Sequence, residues 1–251
     1  VPEHNFYNKI SHFEKIIILF AGSDILRLNK MKKKSRNKLF DKLKRDGAIF
    51  ATESSEIHDK IKDIYGLDTT IIYLPSKFSF SETPHPMPEK FSVGCYMPCK
   101  NSKESSRRFF YRFDKIVEVV KQMPDIDFYF YHNGGGYTPW ADELKMNNFI
   151  GCKESISDMP EFLKSISCGL RITKHDTYAM SAIEYNMAGR WFINNHPMPF
   201  CEKVEYDPKI KDIVSLIREI MKRKGCNLEG KKLYDHNHSW NNFNKTIEEL
   251  L

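Results

Sequence analysis

The chain has 251 residues, 41% of them hydrophobic, with 18 Phe, 12 Tyr and 3 Trp. That is apolar material enough for one large packed domain or two small ones, and it excludes a disordered or low-complexity chain. The net charge of +6 is concentrated between Lys30 and Arg45, a stretch open to three readings: a solvated helix face, an anionic lipid surface or nucleic acid.

No apolar run approaches membrane-spanning length; the strongest, Ile16 to Phe20, is strand-sized. No apolar segment follows a basic start as in a secretory signal. The chain opens on Val1-Pro2, so its first residue reads as a processed or excised boundary. The six cysteines, at 95, 99, 152, 168, 201 and 226, form neither a Cys-x-x-Cys pair nor a zinc-finger spacing. Scattered reduced thiols in a reducing, cytoplasmic compartment are the expectation.

In chain order, Lys15 to Phe20 predicts a buried strand and Ala21 to Asp24 a turn. Lys38 to Leu43 predicts a helix stopped by Gly47, and Ala48 to Thr52 a second strand. Ser54 or Ser55 caps a helix through Ile57, Ile61 and Ile64 that closes at Gly66. Thr69 to Leu74 predicts a third strand. Alternation of strand and helix implies a parallel sheet covered by helices. Pro75 to Pro88 then reads as a proline-rich linker, dividing an N-terminal domain (1–88) from a C-terminal one (89–251).

The pattern restarts with a strand at Phe91 to Met97. A helix follows at Arg107 to Lys121, where Phe109, Phe113, Ile116, Val117 and Val120 fall at helical spacing. Further strands are predicted at Ile126 to Tyr131, Asn148 to Gly151, Gly169 to Thr173 and Trp191 to Asn194. Helices are predicted at Met159 to Ile166, Ala179 to Met187 (closed by Gly189), Ile210 to Met221 and Trp240 to Leu251.

Open parallel sheets bind ligands beyond the carboxyl ends of their strands. Four such turns carry polar or glycine-rich sequence: Gly22-Ser23-Asp24, Gly134-Gly135-Gly136, Lys174-His175-Asp176-Thr177 and Asn194-Asn195-His196-Pro197. The third is the richest. The small residues from Ala179 to Ala182 place backbone N–H groups at a helix start, a seat for diphosphate. Glu184 lies too deep to cap that helix but suits two vicinal ribose hydroxyls. The bland reading keeps Asp176 as a cap and Glu184 as a solvated carboxylate. Gly135 sits in a loop that either lets backbone approach a ligand or is simply a flexible connection. Arg107, Arg108, Arg112 and Lys115 either neutralise a diphosphate or face solvent. His236-Asn237-His238 lacks partners at metal-ligand spacing. Asp125-Ile126-Asp127 has an Asp-x-Asp spelling at the wrong end of a strand, so no metal is expected. Neither Gly-x-Gly-x-x-Gly nor a phosphate loop is present.

The segment Asp176, seven residues, Glu184, continued by Ile183-Glu184-Tyr185-Asn186-Met187-Ala188-Gly189-Arg190, resembles the donor-binding motif of retaining glycosyltransferases with the GT-B fold, family 4 in particular, with Asp replacing the motif's first Glu. Gly22-Ser23-Asp24, Phe149-Ile150-Gly151 with Asp158-Met159-Pro160, and the Ser239-Trp240 helix resemble further elements of that family. The resemblance implies an α/β fold of two Rossmann-like parallel-sheet domains, the N-terminal one short or truncated, with the last helix returning to it. It implies transfer of a sugar from a nucleotide diphosphate sugar, UDP or GDP, to a hydroxyl acceptor with retention of configuration. The acceptor would be a glycan, a protein or a lipid-linked molecule, the last suiting contact with the cytoplasmic membrane face.

In this resemblance Glu184 holds the ribose, the turn through Met180 and Ser181 offers amides to phosphate, and Thr177 belongs to the donor site. Asp176 lies near the transferred sugar and diphosphate, and Asp24 and His175 near the acceptor. The family's Gly-Arg and Lys-Gly pairs are absent after the strand at Phe91 to Met97. Arg107, Arg108, Arg112 or Lys115 is therefore expected to supply that charge. Rival readings are a sugar-nucleotide epimerase on the same fold, a non-catalytic nucleotide-sugar-binding domain, and, more remotely, a nucleic-acid binder.

Overall fold

The computed structural model describes residues 15–97, 105–132, 146–154, 156–176 and 178–251. These fall into two compact units, one running to Pro75 and including Asn237–Leu251, the other Ser76–His236.

The first unit holds a three-stranded parallel sheet in the order β1 (Ile17–Phe20), β2 (Ile49–Thr52), β3 (Thr70–Ile71). Four helices accompany it: α1 (Gly22–Lys30), α2 (Lys33–Arg45), α3 (Ser55–Tyr65) and the C-terminal helix (Trp240–Leu250). The rings of Phe20, Phe40 and Phe50 meet at centroid distances of 6.1 to 6.3 Å, joined by Leu43, Ile57 and Ile61. Ser54 is the cap of α3, its Oγ accepting from the Ile57 amide at 3.3 Å. Gly66 ends that helix at φ 63°, a left-handed conformation that costs glycine least.

Two expectations change in this unit. Ala21 to Asp24 is not a turn: α1 begins at Gly22 directly after β1, because the Asp24 carboxylate accepts from the Ala21 amide at 3.1 Å and so caps the helix start. The helix expected from Lys38 begins five residues earlier, and Lys33, Lys34, Lys38, Lys44 and Arg45 are all exposed on it.

The second unit is a six-stranded parallel sheet in the order β6 (Phe149–Glu154), β5 (Asp127–His132), β4 (Ser92–Tyr96), β7 (Cys168–Arg171), β8 (Trp191–Asn194), β9 (Glu202–Lys203). Its helices are α4 (Ser105–Phe110), α5 (Phe113–Gln122), α6 (Met159–Lys164), α7 (Met180–Met187), α8 (Ile210–Lys222) and α9 (Leu228–Asn237). On one face, Ile116 and Val120 of α5 and Ile213 and Ile217 of α8 pack on Val93, Cys95 and Leu170. On the other, Phe162 of α6 and Ile183 and Tyr185 of α7 pack on Tyr131 and Phe192. Burial on both faces fits the apolar centres of β5 (Phe128–Tyr131) and β8 (Trp191–Ile193). The strand order reverses between β4 and β7, and their carboxyl ends form the switch point at which such sheets bind ligands.

The single helix expected from Arg107 to Lys121 is two. Arg112 stands between them at φ 47°, and its guanidinium pairs with Asp207 and lies 5.3 Å from the Tyr206 ring centroid. Helix α9 and strand β9 were not expected. The Pro75–Pro88 segment carries neither helix nor strand. It is fastened where Arg190 donates to the carbonyls of His85 and Pro86 at 2.9 and 3.1 Å. His238 is committed in the first unit to the Leu74 carbonyl at 2.7 Å. No helix among the described residues is long and apolar enough to cross a membrane.

Candidate functional site

Strand β7 ends at Arg171, and α7 begins nine residues later. The side chain of Asn195 fixes the start of this connection. Its Oδ1 accepts from the Thr173 amide at 3.0 Å, and its Nδ2 donates to the Thr173 carbonyl at 2.6 Å, two residues beyond the end of β7. Helix α7 is buried on nearly every side, including Ala182, Ile183 and Tyr185, and Gly189 turns the chain out of it at φ 71°.

A cavity of about 250 Å³ opens at the switch point. Tyr96 ends β4, Tyr131 lies near the end of β5, and Arg171 ends β7; all three line it, with Tyr111 from between α4 and α5. The first two turns of α7 add Met180, Ser181 and Glu184, and Ala179 before them also lines it. Aromatic walls with a few converging polar groups are the usual make-up of a small-molecule site.

The polar groups are unusual. Glu184 is only 8% exposed, and burial pushes its carboxyl up to about 7 against the opposing pull of Lys77. The Ser181 hydroxyl is buried with no hydrogen-bond partner. Arg171 donates from Nε to Asp176 Oδ2 at 2.6 Å. Its guanidinium lies 5.1 Å from the Tyr96 ring and 5.2 Å from the Tyr111 ring. The amides of the first turn of α7 point out of the helix by construction, and the helix dipole adds positive potential there.

Of the residues singled out in the sequence, Asp176, Met180, Ser181 and Glu184 line this cavity. His175 is their chain neighbour, with Nε2 buried and unpartnered, as is Thr173 Oγ1. Thr177 and Gly135 lie outside the described residues, and Arg107 is placed on α4 by its backbone only. Arg108 is held by Asp114 at 2.5 Å, and Arg112 and Lys115 both hold Asp207; none of the three lines the cavity. Asp24 lies in the first turn of α1, in the other unit. The tyrosines had no role assigned from sequence, although each sits at or near the carboxyl end of a strand or in a helix break. No group of three His, Cys, Asp or Glu side chains converges among the described residues. The described cysteines Cys95, Cys168, Cys201 and Cys226 are unpaired thiols.

No family model and no curated protein sequence matches the chain. Solved structures do match it. TarM superposes with a TM-score of 0.66 at 13% identity, covering 87% of this chain and 46% of its own. Anabaena HepE in complex with UDP-glucose gives 0.68 at 9% identity, covering 98% and 80%. The lipopolysaccharide outer core galactosyltransferase WaaB in its apo form gives 0.65 at 15% identity, covering 99% and 79%. The chain therefore has the α/β architecture of GT-B glycosyltransferases, with two parallel sheets, and spans about half the length of TarM.

Proposed function

We propose that the cavity at the ends of β4 and β7 binds a nucleotide diphosphate sugar, and that the chain belongs to a glycosyltransferase passing that sugar to a hydroxyl acceptor. The observation that carries this reading is the pairing of a buried carboxyl, Glu184, with a buried, unpartnered hydroxyl, Ser181 Oγ, on the first turns of one helix at the switch point. A carboxylate there accepts from two ribose hydroxyls. The hydroxyl and the amides of Met180 and Ser181 donate to the diphosphate. The solved HepE complex with UDP-glucose and the TarM complex with UDP make UDP the first nucleotide to test.

In this reading Asp176 serves the transferred sugar and diphosphate, Thr177 and Gly135 complete the donor site, and Asp24 and His175 serve the acceptor. Catalysis comes from positioning and from stabilising charge on the departing diphosphate, with retention of configuration. The exposed basic face of α2 favours an acceptor presented at an anionic membrane surface.

The test is ligand-detected binding of UDP-, GDP-, ADP- and TDP-sugars, with Glu184→Ala as the control. Selective binding that the variant loses supports the donor site. A folded protein that binds none of them defeats the reading. Saturable donor binding without transfer to any sugar, lipid or protein acceptor supports a non-catalytic nucleotide-sugar-binding domain instead. Conversion of the bound donor with no acceptor present supports an epimerase.

A further inference from the structure

We infer that Arg171, at the end of β7, contacts the donor diphosphate. The inference rests on the nucleotide-sugar reading of the cavity and adds a diphosphate-binding residue to it.

Three observations converge on this side chain. Arg171 is the cation among the described residues that line the cavity. The three described cations favoured from sequence for the role, Arg108, Arg112 and Lys115, are committed to Asp114 and Asp207 and stand outside the cavity. Arg171 itself is held but not used up. Its side chain is 12% exposed, two tyrosine rings flank the guanidinium, and Asp176 takes only the Nε edge. The two Nη groups carry four N–H donors with no acceptor among the described residues.

A guanidinium fixed by a carboxylate and two rings, with its amino groups uncommitted, is pre-organised for bidentate contact with an anion. Ser181 Oγ lines the same cavity, buried and unpartnered, so a second donor is left for the same ligand. Asp176 is then a positioning residue for Arg171, in addition to its proposed place near the sugar.

The experiment compares UDP with uridine, and GDP with guanosine, for wild type, Arg171→Gln and Arg171→Lys, each verified as folded by its thermal transition. In Arg171→Gln, affinity for the diphosphate that wild type selects is expected to fall roughly 10- to 100-fold, with affinity for the parent nucleoside unchanged. Arg171→Lys recovers part of the loss, and the salt dependence of diphosphate binding flattens in Arg171→Gln only. Equal weakening of diphosphate and nucleoside, in whichever variant folds, would show a purely structural arginine and overturn the inference. Unchanged diphosphate affinity overturns it as well. Wild type binding neither nucleotide defeats the underlying donor reading, and this inference with it, a result distinct from the other two.

Discussion

The Arg171 guanidinium and the Asp176 carboxylate meet at 2.6 Å across the turn that leaves β7, with side chains 12% and 17% exposed. The pair is shielded on the arginine side by the rings of Tyr96 and Tyr111. Removing one partner of so covered a pair strands the other charge. Asp176→Asn is expected to lower stability by about 2 kcal/mol. The double variant Arg171→Gln/Asp176→Asn should lose less than the sum of the single changes, a coupling of roughly 1 to 3 kcal/mol. Equilibrium urea unfolding of the four proteins measures this, and strict additivity would contradict the pairing.

Glu184 gives a pH signature of its own. Burial raises its carboxyl from 4.5 to about 7 in the native protein, so the unfolded chain releases that proton first as pH rises. The stability associated with the protonated group is complete below about 4.5, declines as pH climbs, and is gone above about 7. The full change is on the order of 3 kcal/mol. Glu184→Gln removes this part of the slope and therefore gains on wild type between pH 5 and 8 (roughly the span of the shift). Lys77 is the charged group that opposes the shift, and Tyr131 and Tyr185 close by stay neutral, both raised by burial.

Donor binding should run the other way, because only the ionised carboxylate accepts from both ribose hydroxyls. UDP-glucose affinity is expected to rise with pH through about 7 in wild type and to stay flat in Glu184→Gln. A diphosphate diester is the right probe, since a terminal phosphate titrates near pH 6 itself. Parallel profiles for the two proteins would remove Glu184 from the ribose.

That Asp176 and Glu184 line one cavity was legible because their signals are local. Asp176 and Glu184 sit at fixed spacing on a turn and the helix that follows, and a strand with apolar Leu170 and Ile172 precedes them. The cations were harder. Arg108, Arg112 and Lys115 cluster in sequence as a phosphate site does, yet Asp207, more than ninety positions from Arg112 and Lys115, claims two of them. No periodicity reveals a carboxylate that far along the chain. The helix break at Arg112 was hidden for the same reason, since the apolar spacing of Phe109, Phe113 and Ile116 continues across it. Tyr96 and Tyr111 acquire a shared purpose only when β4 and β7 lie side by side. The start of α1 was missed because Gly22 and Ser23 look like a turn until Asp24 is seen to cap it.

Arg190 is the most deeply buried arginine described, 1% exposed, and meets no carboxylate. It donates instead to the carbonyls of Leu163 at 2.9 Å, His85 at 2.9 Å and Pro86 at 3.1 Å, tying the proline-rich segment to the end of α6. Arg190→Met keeps bulk but removes all three hydrogen bonds, leaving Leu163 O only the Ile166 amide and His85 O only the Cys226 thiol. It is expected to cost about 3 kcal/mol and to open the 75–88 segment to proteolytic cleavage ahead of global unfolding. Arg190→Lys should recover part of the stability. If cleavage there stays at the wild-type rate, the arginine does not fasten the segment.

Gly94 lies in the middle of β4, where the Tyr185 hydroxyl of α7 occupies the place a side chain would take. A Cβ at that position would stand 2.0 Å from Tyr185 Oη. Gly94→Ala must push the tyrosine, and with it α7, away from the sheet, at a cost of roughly 1 to 3 kcal/mol. Because α7 carries Glu184 and Ser181, the displacement should also weaken donor binding. Tyr185→Phe removes the clashing oxygen, and the next atoms, Tyr185 Cζ at 3.2 Å and Ile166 Cγ2 at 3.3 Å, need give only by tenths of an ångström. The double variant Gly94→Ala/Tyr185→Phe is therefore expected to be more stable than Gly94→Ala alone and to regain donor affinity. Thermal unfolding and UDP-glucose titration of the three variants test this together. If Tyr185→Phe adds its own loss to that of Gly94→Ala, the glycine is needed for something other than room for the hydroxyl.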